Sequence, residues 1–191
     1  MDLTQGVIKQ HIVKLAVPAV VGYFFHTMFN ITDTFFAGMI STQALAALSL
    51  SASVFFMILA IGIGMSEAVT SLVGNALGEK DIHRAQHITL NSVAFAVGLS
   101  ILLSVLGVLS VPFLVEALSD PSYVAETLQY INLILYGALF FVGAFFLNAL
   151  LNSIGDTKSF RNVLIFTAFL NIVLDYLFIN YFKLGVSGIA L

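Results

Sequence analysis

Polar side chains recur at helical spacing inside an apolar stretch that runs from Phe160 to Phe182. Thr167, Asn171 and Asp175 are separated by two steps of four residues, which places them on one helix face, about one turn apart. A carboxylate inside a bilayer costs about 2.5–3.5 kcal/mol on the insertion scale, so it faces a bundle interior or water and marks a functional site by default. Asp175 is therefore a candidate for binding or relaying a cation.

A second buried carboxylate lies in the first apolar stretch, where small and polar residues share one helix face through steps of three, four and seven. Asp33 lies seven residues before Ile40, and Asp175 lies eight residues before Lys183. At about 1.5 Å per residue, both acids are expected at the same depth. Two carboxylates at one level repel each other, and a proton or a sodium ion would relieve that repulsion. The residues on this face are Gly22, Tyr23, His26, Asn30, Asp33 and Ala37.

Four further residues are candidates for supporting roles. Asn148, in the fourth apolar stretch, is expected to approach the polar face of the fifth, because an amide in lipid needs a partner. Glu67 and His26 are candidate proton relays. Solvation near the inner surface is the simpler interpretation for Glu67, and a hydrogen-bonded neutral imidazole is the simpler one for His26. Pro18 lacks an amide hydrogen and is a candidate hinge.

The composition assigns the chain to the integral membrane proteins. Of its 191 residues, 60% are hydrophobic and 9% are charged, against about 25% charged in soluble domains. The absence of Cys excludes disulfides and thiolate metal sites, and the net charge of −3 gives no sign of a nucleic-acid partner. No metalloprotease or phosphate-loop motif is present. We therefore expect neither an enzyme nor a cofactor, only a coupling ion, H⁺ or Na⁺.

Long apolar stretches predict an all-α polytopic transmembrane bundle, because a span needs about 20 such residues. Five complete spans and the start of a sixth, from residue 186, are expected. No polar or basic stop follows the final Gly-Ile-Ala-Leu, residues 188–191, so we expect the sequence to be a fragment of a longer chain. The five spans are 13–40, 44–73, 88–118, 123–152 and 160–182.

The basic residues predict the orientation of these spans. Six of the seven Lys and Arg residues precede the first span or lie in the second-to-third and fourth-to-fifth connections, and only Lys183 lies on the other side. Cytoplasmic loops are enriched in such residues, so the N-terminus and these two connections are expected in the cytoplasm, with the spans in the cell membrane. The six residues are Lys9, Lys14, Lys80, Arg84, Lys158 and Arg161.

The chain resembles the multidrug and toxic compound extrusion (MATE) family. The matching pieces, in order, are LAVPAVVG at 15–22, NITDTFFAG at 30–38, ALAA at 44–47, GNALG at 74–78, GD at 155–156 and NIVLD at 171–175. The resemblance implies that residues 1–191 form most of the N-terminal lobe of a two-lobe transporter whose C-terminal lobe is absent here. Two features depart from the family pattern: Tyr176 replaces a common Pro, and Asn152-Ser153 replaces Arg-Gly.

The resemblance also implies a function. Such transporters are secondary active antiporters that export cationic or amphiphilic compounds in exchange for H⁺ or Na⁺. Family members with this pattern bind the cation through residues that match Asp33, Asn171, Asp175 and Asn148, so the first three are candidate Na⁺ ligands. The expected partners are a small xenobiotic compound, membrane lipid and the missing lobe.

Other function classes make different demands on the residues. A lipid-linked oligosaccharide flippase of the same superfamily needs a basic cavity for pyrophosphate, and an intramembrane enzyme needs a nucleophile and a base. A non-transporting structural subunit would use the acids only to hold two helices together, away from any cavity. The polar candidates here are acidic and include no Arg or Lys, which favours cationic or neutral cargo.

The predicted orientation can be tested with single cysteines, because the chain has none of its own. A cysteine replacing Asp81 is expected to react with a membrane-impermeant maleimide only from the cytoplasmic side, and one replacing Ser122 only from outside. Labelling of the two positions from the opposite sides would reverse the orientation.

Overall fold

The computed structural model describes residues 7–191, so residues 1–6 of the predicted lobe lie outside the described part. The described chain is helical, which confirms the predicted all-α fold. A π-helical turn, Leu177–Tyr181, continues α6. The helices are α1, Ile8–Ile40; α2, Thr42–Gly78; α3, Ile82–Leu118; α4, Val124–Tyr136; α5, Ala138–Ser153; α6, Thr157–Tyr176; and α7, Val186–Ala190.

Within residues 7–191, four helices are long and apolar enough to cross a membrane by themselves: α1, α2, α3 and α6 with its π turn. The span predicted at 123–152 is not one straight helix. It consists of α4 and α5, which are bent by 48° at Gly137, whose φ and ψ are −79° and 0°. Glycine is a weak helix former, and this pair counts as a fifth span only when its two halves are taken together.

Side-chain caps fix where three of the helices begin. The Ser41 side chain accepts a hydrogen bond from the Ala44 amide at 2.9 Å and so starts α2 directly after α1. Asp81 caps α3 in the same way. At α6, the hydroxyl and amide of Ser159 donate to Asp156 and hold the pKa of its carboxyl below the usual range. These short capped turns make neighbouring helices antiparallel.

The hairpin of α2 and α3 is longer than a bilayer is thick. Each helix has 37 residues, or about 55 Å at 1.5 Å per residue, against about 30 Å of hydrocarbon. The polar residues, 74–87, lie at the turn, where Arg84 forms an ion pair with Glu79 at 2.6 Å. The excess length therefore lies at the end predicted to be cytoplasmic.

Helix α1 packs mainly against α6. A Cβ added at Gly22 would lie 3.1 Å from Leu164 Cδ1 and 3.5 Å from Arg161 Cα, so the two helices approach closely there. Further along, the rings of Phe25 and Phe169 are 6.0 Å apart. The contacts advance in the same direction on both helices, so α1 and α6 run parallel.

A close contact between α2 and α5 gives a test of this packing. A Cβ at Gly62 would lie 2.7 Å from Cδ2 of the Phe145 ring, whereas Gly64 has open space around it. Gly62→Ala is expected to lower stability by about 1–3 kcal/mol, because the ring must move. Gly64→Ala should cost nothing, since Ala favours the helix. Thermal unfolding of the two purified variants in detergent measures the difference, and equal unfolding temperatures would contradict the contact.

Candidate functional site

Two carboxyls and an amide from distant parts of the sequence meet between α1 and α6. Asp33, Asn171 and Asp175 have exposed fractions of 6%, 5% and 2%. The Asn171 side-chain amide donates to Asp33 Oδ1 at 2.9 Å, and Asp175 lies close enough to Asp33 for the two charges to interact. Two charged carboxylates this close repel each other, so a proton on one of them stabilises the pair. We call these three residues the acidic cluster.

The parallel course of α1 and α6 explains why these residues meet. Asn171 precedes Asp175 by one helical turn, so both present their side chains to the same part of α1. Thr167, one turn earlier on that face, does not join them. Its hydroxyl donates to the Val163 carbonyl of its own helix at 3.0 Å.

Two oxygens of the acidic cluster have no hydrogen-bond partner within the described residues. They are Asn171 Oδ1 and Asp175 Oδ2, and both are buried. A buried acceptor without a donor costs about 1–3 kcal/mol. Because carboxylate and amide oxygens are ligands that hard cations prefer, the cluster fits a Na⁺ ion, and it equally fits a proton shared by the acids.

The sequence analysis missed Tyr130 of α4. Its side chain is buried, with 8% exposed, and it lies close enough to Asp33 and Asp175 to interact with their charges. A tyrosine in an apolar span carries a hydroxyl that normally finds a polar partner when buried. A tyrosine in a predicted span was therefore the signal that the sequence offered, but it does not identify the polar partner of the hydroxyl.

The structure places Asn148 away from the acidic cluster. Asn148 lines a separate cavity of about 40 Å³, as does Gly22, which precedes Asp33 by eleven residues, or about 16 Å along α1. Residue counting had placed Asn148 about one turn nearer the cytoplasmic side than Asn171, which is the direction in which the structure places it. We call this space the inner cavity. It is also lined by the hinge candidate Pro18 and by the polar residues Tyr23, Asn152, Thr157 and Arg161.

The inner cavity corrects one expectation from the sequence. We expected no Arg or Lys among the polar side chains that could line a cavity, because Arg161 was assigned to a cytoplasmic connection. Arg161 instead belongs to the first turns of α6 and lines the cavity. Both charge signs are therefore present along the α1–α6 contact.

The two candidate relays are not joined to the acidic cluster. Glu67 is exposed, whereas its neighbours Met65 and Ser66 are buried, so its side chain points away from the core of the bundle. His26 is half-buried and lies seven residues before Asp33. In the described part of the chain, no hydrogen bond links either side chain to the cluster, and their relay roles stay predictions. Pro18 is buried within the continuous helix α1, and its role as a hinge stays a prediction.

Comparison with known proteins gives consistent matches over nearly the whole chain. The MatE family model matches residues 18–177. A probable multidrug resistance protein of Bacillus subtilis, YpnP, is 28% identical over 99% of this chain and 43% of its own length. A FAD transporter of Shewanella oneidensis is 27% identical over 99% of this chain and 43% of its own.

A solved structure of a MATE family transporter also matches the chain. An outward-facing multidrug resistance MATE family transporter of the MOP superfamily superposes with a TM-score of 0.92 at 26% identity, over 97% of this chain and 41% of that one. The chain therefore spans less than half the length of the relatives that it matches.

The contact between the two acids predicts that they titrate as a unit. Replacing Asp33 with Asn is expected to change the pH at which Asp175 releases its proton, and Asp175→Asn should do the same to Asp33. Infrared difference spectroscopy of the carboxyl bands during a pH titration measures this coupling. Glu67→Gln is the matched control, because Glu67 faces away from the pair. Independent titration of the two acids would show that they do not interact.

Proposed function

Because the chain belongs to the MatE family, we propose that it is the N-terminal lobe of a secondary active multidrug efflux antiporter in the cell membrane. The complete transporter exports cationic or amphiphilic compounds in exchange for H⁺ or Na⁺. The observation that carries this proposal is the acidic cluster, where two buried oxygens of Asn171 and Asp175 lack a donor within the described residues. A cluster that only tied two helices together would have no need of a second acid.

The acidic cluster supports coupling to either ion. A proton shared by Asp33 and Asp175 removes their repulsion, and Asn171 then keeps its bond to Asp33. A sodium ion would remove the same repulsion if oxygen atoms of both carboxylates and Oδ1 of the Asn171 amide coordinated it. Tyr130 of α4 is buried nearby and adds a hydroxyl that can hydrogen-bond to the cluster when the ion is bound.

Exchange follows if the ion and the cargo favour different shapes of α1. Asp33 and the hinge candidate Pro18 belong to the same helix, fifteen residues apart. A ligand shifts a conformational equilibrium by its difference in affinity for the two states. An ion held between α1 and α6 favours the shape in which Asp33 reaches Asn171, and bound cargo favours the other shape, so that each displaces the other.

One relative extends the range of cargo worth testing. It is named a FAD transporter, and FAD carries phosphate groups. Arg161 in the inner cavity favours a second candidate within the same activity, the transport of compounds that carry an anionic group. The inner cavity has room only for the anionic group and does not include the acidic cluster. The acidic cluster therefore keeps its coupling role whether or not the cargo carries an anionic group.

The proposal predicts that Asp33→Asn and Asp175→Asn each abolish coupled efflux while membrane insertion is retained, because an amide cannot take up the coupling charge. Glu67→Gln and His26→Gln are expected only to reduce it. The measurement is efflux of a fluorescent cationic drug from vesicles with the complete transporter, under an imposed proton gradient and then an imposed sodium gradient. The response to each gradient also identifies the coupling ion.

Asp120→Asn is the matched control for these substitutions. It makes the same chemical change in an acid that is exposed at the outer surface, so the parent activity should be kept. If either Asp33→Asn or Asp175→Asn couples efflux as the parent does, that acid is structural and the proposed mechanism is wrong.

A further inference from the structure

The inner cavity combines one cation with several neutral hydrogen-bond donors. Arg161 lines it together with Asn148, Asn152, Tyr23 and Thr157, residues whose side chains carry amides or hydroxyls, and none of its lining residues is acidic. A guanidinium carries five N–H donors and no acceptor, and side-chain amides and hydroxyls also donate. The wall is therefore suited to an acceptor with negative charge.

Arg161 has no carboxylate partner among residues 7–191, where the ion pair of Arg84 with Glu79 is the only salt bridge. Its Nε and Nη2 atoms donate to the amide oxygen of Asn162 at 3.1 and 2.7 Å. That amide is neutral, and the Nη1 donors remain. A partly buried guanidinium gains most from a planar or tetrahedral oxyanion, which accepts two charge-assisted hydrogen bonds at once.

The size and place of the inner cavity limit what it can hold. Its volume of about 40 Å³ accommodates a few water-sized groups, so a carboxylate or phosphate group fits but a whole drug does not. Asn152 lies near the end of α5 and Thr157 is the first residue of α6. The cavity therefore lies beside the connection predicted to be cytoplasmic, where cargo for export arrives.

We propose that the inner cavity receives the carboxylate or phosphate group of a transported molecule, with Arg161 as its charge partner and Asn148 and Asn152 as further donors. This inference rests on the proposed transport function and adds an anionic group to the cargo. Pro18 forms part of the same wall, so an oxyanion seated here also touches the segment of α1 that carries the hinge candidate.

The test uses one dye in two forms, rhodamine with a free carboxylate and its methyl ester, in which a methyl group removes the negative charge. Binding of each to the complete transporter is measured by fluorescence anisotropy in phosphatidylcholine nanodiscs, without any gradient. The ratio of the two affinities, acid over ester, is the readout. Arg161→Gln is expected to lower this ratio by about tenfold or more, the usual worth of a charge-assisted hydrogen bond.

Lys158→Gln is the matched control, since Lys158 is an exposed cation of the same helix that does not line the cavity. It should keep the parent ratio, and Arg161→Lys should keep part of it because the charge remains. An equal ratio in the parent and in Arg161→Gln contradicts the proposal, as does a parent that does not bind the acid form. A fall in Lys158→Gln as large as that in Arg161→Gln contradicts it too, because it indicates a general charge effect.

Anionic lipid is a second source of the same chemistry. When phosphatidylglycerol is added to the nanodiscs, the parent ratio should stay above that of Arg161→Gln. A fall to the Arg161→Gln value would identify the cavity as a lipid headgroup site and overturn its assignment to cargo. Because binding is measured without a gradient, failure here is distinct from failure of the coupling proposal, which depends on Asp33→Asn and Asp175→Asn.

Discussion

The hydrogen bond from Asn171 to Asp33 decides which helices must lie together. In a bilayer neither group can turn to water, and an unpaired polar group in hydrocarbon costs several kcal/mol. The bond fixes the depth of α6 relative to α1 and brings Asp175, one turn further along α6, to the same part of α1. The close approach at Gly22 and the ring contact of Phe25 with Phe169 then follow along the same line.

The same line of contact holds two polar sites of opposite charge. Arg161 and Asn171 are ten residues apart on α6, or about 15 Å, and Pro18 and Asp33 lie beside them on α1. A change of curvature in α1 near Pro18 would therefore alter both sites in one movement. Coupling between two sites requires a shared element with two arrangements, and α1 and α6 both line the two sites, with the hinge candidate Pro18 on α1.

The burial of Asp33 and Asp175 in the bundle could be predicted from the sequence, because a carboxylate in an apolar span has few alternatives to a bundle interior. Matched depth needed only a constant rise per residue along α1 and α6. The bend at Gly137 could not be predicted in this way, since it depends on how α4 and α5 pack against α2 and α3. Arg161 was missed for a related reason: a basic residue near a turn is normally solvated, and only the neighbouring helices make this one line a cavity. Tyr130 was missed because its partner lies on another helix, which no local pattern records.

The long hairpin of α2 and α3 has a practical consequence for imaging. Even at a tilt of 40°, a helix of about 55 Å covers about 42 Å along the membrane normal, about 12 Å more than the hydrocarbon thickness, so the turn at Lys80 lies outside the hydrocarbon core. The turn is ordered by the Asp81 amide, which donates to the Ala76 carbonyl at 2.9 Å, and by the ion pair of Arg84 with Glu79. A rigid soluble domain fused through both helices at this point would move with the 20.6 kDa lobe. Such a fusion would supply the asymmetric feature outside the micelle that particle alignment in cryo-electron microscopy requires.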